Sequence, residues 1–175
     1  MPRIIDAFGN VGAAAESTFR IDTTAPTVPV LTTVPDDPTN TKSYTVTWDA
    51  STDVLSEVKG YNVWINGTQV ETLQTATEYS FVYDDLGADG EVKVEVSAVD
   101  NATQDGNESA KAVYTFLVDT IAPDAPTALN LEPKPENDEN VITTALPTFK
   151  WTRMIEEGSG VVAYELTVGG KTYTV

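Results

Sequence analysis

Oxygen-bearing side chains are concentrated around two copies of one short motif in this sequence. The motif, Asp-Thr-x-Ala-Pro, occurs at residues 22–26 and again at residues 119–123, a shift of 97 (119 − 22). The chain has no cysteine and no histidine, which excludes Cys–His and Ser–His–Asp nucleophiles and zinc sites built on those residues. Carboxylate, amide and carbonyl oxygens remain, and they suit calcium. We therefore predict calcium at these motifs, called here the first hinge (22–26) and the second hinge (119–123).

The predicted calcium ligands form two groups, one for each hinge. In a two-layered β module successive strands run between two poles, so the loops at 49–57 and 100–109 should share a pole with the first hinge. The first group is Asp22 with some of Asp53, Asp100, Asp105 and Asn107, and the second is Asp119 with some of Asp84, Asp85, Asp89 and Glu156. The acidic loops do not fit the EF-hand pattern. Turn formation through Asx-type backbone bonds explains the same residues, and both interpretations stay open.

The net charge limits the partners of the chain. Ten basic and 27 acidic residues give a charge of −17, which repels phosphate backbones and anionic lipid surfaces. Solvation or adaptation to a salty habitat explains this acidity as well as attraction of divalent cations does.

The sequence also limits the function classes to be expected. No apolar run approaches the roughly 18 residues that span a bilayer. We expect no nucleic-acid partner, no membrane insertion and no enzymatic activity, since the acidic residues fall in turns and on outward strand faces.

Short apolar runs between turn signals predict that residues 22–119 form one complete module. Residues 92–98 alternate apolar with polar side chains, which is the pattern of a strand with one buried face. Asn66-Gly67 predicts a tight hairpin turn. No segment has a helical period, so we expect an all-β fold, an antiparallel sandwich of seven strands. The predicted strands are 28–33, 44–48, 61–65, 68–73, 78–83, 92–98 and 112–118.

Two tryptophans of this module are predicted to have different surroundings. Trp48 lies in phase with Tyr44 and Val46 on its strand, and we predict that it fills the core between the sheets. Trp64 is out of phase with Val63. It is therefore expected at a sheet edge or on the surface, where it is a candidate for ligand binding.

The residues on either side repeat parts of the same pattern. Residues 17–21 match 114–118 at a shift of 97 (114 − 17), so residues 1–21 are predicted to hold the last strand of a preceding module. Residues 120–175 are predicted to begin a following module, because Trp151 lies 103 positions after Trp48 (151 − 48).

The larger shift in this following module has a local origin. The six extra residues (103 − 97) fall in the acidic stretch 132–140.

The incomplete modules at the two ends of the chain suggest a further hypothesis. Strand addition between the incomplete ends of two chains would give head-to-tail self-association. Simple lack of order at both ends is the alternative.

Three segments give the chain a resemblance to a known family. The hinges, the strand Tyr44–Trp48 and the loop Val99–Ser109 resemble tandem fibronectin type III-like and bacterial immunoglobulin-like repeats of large secreted surface proteins. Val92 stands where many fibronectin type III modules have the tyrosine of the tyrosine corner, which is a departure from the pattern. The resemblance implies an extracellular or cell-surface location and neighbouring modules of the same polypeptide as partners.

This resemblance implies three candidate functions. The first is a structural spacer in an adhesin or a surface layer. The second is an adhesive module that binds surface carbohydrate or protein through its loops or through Trp64. The third is an accessory spacer of a secreted glycoside hydrolase.

Overall fold

The computed structural model of the protein describes residues 2–102, 105–134 and 146–175. These residues contain eleven β-strands and one short 3₁₀ turn at Tyr83–Asp85. The all-β class with antiparallel sheets, predicted from the alternation of apolar residues, is confirmed. The strands are β1 (Val30–Thr33), β2 (Ser43–Asp49), β3 (Val58–Ile65), β4 (Thr68–Gln74), β5 (Glu78–Val82), β6 (Gly90–Asp100), β7 (Ala112–Val118), β8 (Thr127–Glu132), β9 (Thr148–Thr152), β10 (Glu165–Val168) and β11 (Lys171–Thr174).

Residues 22–119 contain β1 to β7, which form two sheets with a common core. One sheet has the order β1-β2-β5 and the other β4-β3-β6-β7, and all their pairs are antiparallel. Tyr44 of the first sheet contacts Phe116 of the second, with ring centroids 5.4 Å apart. Trp48 contacts Tyr61 across the sheets at the same distance, 5.4 Å. Trp48 is buried in this core, as its alternation predicted, and burial of each such side chain contributes about 1.5–3 kcal/mol.

Backbone hydrogen bonds fix which loops lie beside each hinge. Thr27, just after the first hinge, donates its N–H to the carbonyl of Thr52 at 3.0 Å, and Asn101 donates to Glu57 at 3.0 Å. These bonds hold the β2–β3 and β6–β7 loops at the N-terminal pole of the module. The N–H of Asp119 donates to the carbonyl of Thr39 at 2.9 Å, so the chain leaves at the opposite pole beside the β1–β2 turn.

The described residues after the second hinge, 120–134 and 146–175, contain four strands in two pairs. The pairs β8–β9 and β10–β11 form two-stranded antiparallel sheets. Trp151 and Tyr164 have ring centroids 5.5 Å apart, as Trp48 and Tyr61 do in the first module. The hydroxyl of Tyr164 accepts the N–H of Met154 at 3.1 Å. Most of the predicted acidic insertion, residues 135–140, lies outside the described residues.

The strand expected at residues 17–21 is not formed. The first strand of the described chain begins at Val30, and residues 2–29 contain only an isolated bridge between Ile5 and Val11. Phe19 is 81% exposed. The alternating pattern predicted a strand, but a strand needs a paired neighbour for its backbone groups, and no described segment pairs with residues 17–21.

In the described part of the chain no helix has the length and apolar character needed to cross a membrane.

Candidate functional site

Three carboxylates from separate segments meet at the first hinge. Asp22 precedes β1, Asp53 lies in the loop between β2 and β3, and Asp100 ends β6. One carboxylate oxygen from each residue lies within 4.8 Å of the other two. We call these three residues the acidic triad. The structure therefore brings together the hinge aspartate and one aspartate from each of the two loops that share its pole.

One serine hydroxyl is shared among the three carboxylates. Ser56 Oγ lies 2.7 Å from Asp22 Oδ2 and 3.2 Å from Asp53 Oδ1, and it also hydrogen bonds to the Asp100 side chain. A hydroxyl has a single proton to donate. The three carboxylates thus compete for this hydroxyl, although each also accepts backbone N–H groups. These come from Thr24 for Asp22, from Leu55 and Ser56 for Asp53, and from Ala102 and Asn107 for Asp100.

Asp100 is buried and held as a carboxylate by its own loop. Its Oδ1 accepts the N–H groups of Ala102 at 3.1 Å and Asn107 at 2.7 Å, and its Oδ2 accepts the Asn107 amide at 2.7 Å. Burial acts to raise the pKa of Asp100, but the hydrogen bonds from Asn107, Ala102 and Ser56 outweigh it and leave the pKa below its usual value. Asp100 therefore carries a full negative charge at neutral pH.

Asp53 is oriented by the turn that follows it. Its Oδ1 accepts the N–H groups of Leu55 at 2.9 Å and Ser56 at 2.8 Å. The N–H of Ser56 is the main cause that lowers the pKa of Asp53, while burial and the charge of Asp100 act in the opposite direction. The three hydrogen bonds described for Asp53, including the one from the Ser56 hydroxyl, all use Oδ1.

The donor set of the acidic triad fits calcium. Calcium binds carboxylate oxygens at about 2.3–2.6 Å, and the triad offers three such oxygens within 4.8 Å of one another. The carbonyl oxygens of Asp22 and Thr24 lie 3.4 and 3.5 Å from the Asn107 amide and add hard oxygens beside the triad. The ion pairs shown by the described residues join lysines to Glu95 and Glu132 rather than to the triad.

Part of the same arrangement recurs at the second hinge. Glu156 and Ser159 follow Asp53 and Ser56 at the same shift of 103 (156 − 53 and 159 − 56). Both pairs lie in the loop after a tryptophan-bearing strand, β2 or β9.

At the second hinge Asp119 approaches the loop after β9, which contains Glu156. Asp119 Oδ2 accepts the N–H of Ser159 at 2.6 Å, and Glu156 Oε1 accepts the N–H of Gly158 at 2.6 Å. A Cβ atom on Gly158 would overlap Asp119 Oδ2 and would lie 2.9 Å from Glu156 Oε1. Both carboxylates therefore pack against the same glycine. The side chain and N–H of Ser159 are the main causes that lower the pKa of Asp119.

Asp89 binds the second hinge from the side of the preceding module. Its Oδ2 accepts the N–H of Thr120 at 2.6 Å, and its Oδ1 accepts the Thr120 hydroxyl at 2.9 Å. The N–H of Thr120 is the main cause that lowers the pKa of Asp89, and the Tyr83 hydroxyl lowers it further. Asp89 therefore fastens the polypeptide between the two units.

The remaining predicted ligands are placed elsewhere or play another part. Asp84 and Asp85 lie in the 3₁₀ turn, where Asp85 Oδ2 accepts the N–H of Val82 at 3.1 Å. Asp105 is exposed and lies outside the triad. Asn107 donates its amide hydrogens to Asp100 and to hinge carbonyls.

The sequence analysis missed Ser56. Its hydroxyl reaches two members of the triad, but serine is common in turns, and the type of residue alone does not mark it. The recurrence of serine at position 159 was the signal that could have found it. Whether calcium binds stays a prediction at both hinges.

A further copy of the Asp100 loop forms near the N-terminus. Asp6 Oδ1 accepts the N–H groups of Phe8 and Asn10 at 2.9 Å each, and its Oδ2 accepts the Asn10 amide at 2.8 Å. The Asn10 side chain is the first cause that lowers the pKa of Asp6. Asn10 precedes Asn107 by 97 residues (107 − 10). Because no described strand pairs with this segment, the loop is formed by local hydrogen bonds.

Trp64, the candidate for ligand binding, is covered by a lysine. The ammonium nitrogen of Lys111 lies 3.5 Å from the centre of the Trp64 ring. Lys111 also lies 3.8 Å from Glu95, which pairs with Lys93 at 3.0 Å. The contact between lysine and ring is a cation–π interaction, worth about 0.5–1 kcal/mol at an exposed site. A ligand that stacks on this face of Trp64 would have to displace Lys111.

Comparison with known proteins gives little direct information. No known protein family and no curated protein matches the sequence. One similar solved structure is that of the spore cortex lytic enzyme SleM from Clostridium perfringens, at 22% sequence identity and a TM-score of 0.42. The similarity covers 53% of this chain and 28% of SleM, so the chain spans less than a third of the length of that protein. No conclusion about activity rests on this similarity.

Proposed function

We propose that residues 22–119 are an immunoglobulin-like or fibronectin type III-like module that serves as a stiff spacer in a tandem array of an extracellular protein. The observation that carries this proposal is the repeated bond between a hinge aspartate and a loop serine of the unit that follows. Asp22 bonds to Ser56 and Asp119 bonds to Ser159. Equivalent hinges that use equivalent partners are expected of units joined in series.

The geometry of the module favours a role in spacing. The chain enters at one pole and leaves at the other, so successive units are placed end to end. Pro26 ends the first hinge and Pro29 follows it, and Pro123 and Pro126 have the same places at the second hinge. Each proline fixes its own φ angle and removes a backbone donor, which limits bending of the connection. The hinge then holds two units through side-chain bonds at a stiff linker.

We propose that calcium fixes the first hinge through Asp22, Asp53 and Asp100. A bound cation would offset the mutual repulsion of these three carboxylates. Calcium sites of extracellular modules have dissociation constants of roughly 10⁻⁴ to 10⁻³ M, which extracellular calcium can fill. Calcium would thereby link the hinge to both loops of the module and make the spacer stiff outside the cell.

The adhesive alternative is not favoured by the surroundings of Trp64. Lys111 covers its ring, and a stacked sugar would lose that contact. The third candidate, a spacer within a secreted glycoside hydrolase, requires the same physical properties of this module and differs only in what the spacer carries.

Limited trypsin digestion of the full chain tests the calcium-stiffened spacer. Arg20 lies two residues before Asp22, and Arg3, which is exposed and followed by isoleucine, serves as an internal control outside the hinges. We expect calcium to slow cleavage after Arg20 relative to cleavage after Arg3, in comparison with the rates in EDTA. The ratio cancels any effect of calcium on trypsin itself. An unchanged ratio would contradict the proposed role of calcium at the first hinge.

A further inference from the structure

We propose that the open side of the sandwich, between the edge strands β4 and β5, binds an extended cationic peptide segment of another protein in an apolar groove. This inference goes beyond the proposed function, because a spacer that only separates its neighbours needs no partner at its side. The occupant is inferred from the apolar lining of the groove and from the acidic charge around it.

The two lateral sides of the module differ in how the strand edges are covered. On the side of β1 and β7, Thr39 forms a bridge with Val118 and donates its N–H to the carbonyl of Leu117 at 2.9 Å. The N–H of Leu117 donates to Asp37 Oδ1 at 2.9 Å. On the opposite side β4 and β5 are the outermost strands of their sheets, and no other described strand pairs with them there. This second side is the open side.

A groove of about 550 Å³ lies on the open side between β4 and β5. Its volume falls in the range of about 300–1,000 Å³ that is usual for ligand sites. The apolar part of its lining is formed by Ile65, Val70, Tyr79, Phe81 and Leu86. Ile65 and Phe81 belong to the buried core, and the other two large side chains, Tyr79 and Leu86, pack against that core. An apolar side chain that enters the groove would therefore extend the core and leave water.

Carboxylates supply the charge around this groove. Asp85 is part of its lining, where the N–H of Val82 holds its Oδ2 at 3.1 Å. Burial is the main cause that raises the pKa of Tyr79, and the charges of Glu71 and Asp85 raise it further. Both carboxylates thus act on a side chain that lines the groove. Glu71 is exposed, so its charge is accessible to a partner.

The charge around the groove selects the occupant. A second copy of this chain would bring the same carboxylates and a net charge of −17, so the two copies would repel each other. A cationic segment would be attracted. In an extended segment, side chains two positions apart point to the same side. An aliphatic side chain can therefore enter the groove while an arginine two positions away approaches Glu71 or Asp85.

An NMR titration of the full chain with the peptide acetyl-Arg-Thr-Leu-Thr-Arg-amide tests this inference. Its leucine and both arginines point to one side when the peptide is extended. We expect the amide signals of Val70, Tyr79 and Leu86 to shift until they saturate. The charge-reversed peptide, acetyl-Glu-Thr-Leu-Thr-Glu-amide, should bind about tenfold more weakly or worse.

Two variants locate the binding site of the peptide. Val70→Lys places a like charge in the lining of the groove and should weaken binding of the arginine peptide by about tenfold or more. Glu71→Gln removes one exposed charge and should weaken it by about two- to fivefold. Val113→Lys is the matched control for Val70→Lys, since both valines are exposed on strands of the same sheet. It should bind the peptide as the natural chain does.

The possible outcomes decide between the occupants. The inference is wrong if the groove signals do not shift, if both peptides bind equally, or if Val70→Lys binds as well as Val113→Lys. Groove signals that shift with protein concentration in the absence of peptide would identify a second copy as the occupant and would also overturn it. None of these results depends on calcium, so they leave the proposed function to its own test.

Discussion

Ser56 donates its hydroxyl hydrogen to Asp22, which lies 34 residues earlier in the chain, across an oxygen–oxygen distance of 2.7 Å. The bond joins the hinge to a loop of the module that the hinge precedes. The same hydroxyl lies 3.2 Å from Asp53. A linker aspartate is therefore not a free surface charge but a member of a cluster of three carboxylates. The concentration of negative charge in this cluster is the physical basis of the calcium proposal.

Asp53→Asn should separate the structural role of this residue from its role as a metal ligand. All the hydrogen bonds described for Asp53 use Oδ1, and the amide oxygen of asparagine can accept them. In EDTA we expect an unchanged or slightly higher unfolding midpoint, because one of three repelling charges is removed. In calcium the variant should lose most of the rise shown by the natural chain, as measured by circular dichroism.

The matched control for this experiment is Asp105→Asn. It removes the same charge from the loop that contains Asp100, at an exposed position outside the acidic triad. It should keep the full response to calcium. Equal responses to calcium in Asp53→Asn and in the natural chain would show that Asp53 is not a ligand.

Gly158→Ala should open the second hinge. The new Cβ would lie 2.6 Å from Asp119 Cγ, closer than unbonded carbon atoms approach, so the carboxylate must move away from Ser159. We expect the Ser159 amide to exchange about tenfold faster or more. Gly12→Ala is the control, because its Cβ would meet its nearest neighbour, the Ile4 carbonyl oxygen, at an ordinary 3.4 Å. Unchanged exchange in Gly158→Ala would contradict the described packing.

Tyr61→Phe and Tyr164→Phe should destabilise the two units unequally. The hydroxyl of Tyr61 accepts the N–H of Ser51 at 2.8 Å in a buried setting, and its loss leaves that donor unsatisfied at a cost of about 1–3 kcal/mol. Tyr164 makes the equivalent bond to Met154 at 3.1 Å but is only half-buried, so water can replace it. Urea unfolding of the two variants measures the difference. An equal or smaller loss for Tyr61→Phe would be inconsistent with its burial.

Acid should destabilise the protein in EDTA, beginning near the ordinary pKa of aspartate. The pKa values of Asp53, Asp89, Asp100 and Asp119 are all lowered in the folded state. The unfolded chain takes up protons first, near pH 3.9, so it binds more protons than the folded chain in this range. The unfolding free energy should thus be constant above about pH 5 and fall as the pH drops below about 4. Urea unfolding at a series of pH values would refute this if stability rose towards pH 3.

Local sequence patterns were sufficient to predict most of the module. Strand β7 (Ala112–Val118) has the bounds that alternation indicated, and the hairpin between β3 and β4 turns at Asn66-Gly67. These features depend on residues close together in sequence. Residues 17–21 show the limit of the method, because a strand also requires a distant partner that a local pattern does not supply.

The acidic triad was predictable only in part. The alternation of strands between two poles indicated which loops approach the first hinge, so Asp53 and Asp100 were among the named candidates. The same rule could not exclude Asp105 or Asp84, since it places loops and not side chains. Ser56 was missed because its role comes from its position between three carboxylates, which is a property of the tertiary structure.

Thermal unfolding of the full chain at increasing calcium concentrations tests the central claim most directly. With a dissociation constant of roughly 10⁻³ M and calcium tenfold above it, binding adds about 1.4 kcal/mol to the unfolding free energy. The midpoint should therefore rise by roughly 5–10 °C relative to EDTA. Magnesium at the same concentration controls for ionic strength and should have a smaller effect. A midpoint that is the same in calcium and in EDTA would contradict the account.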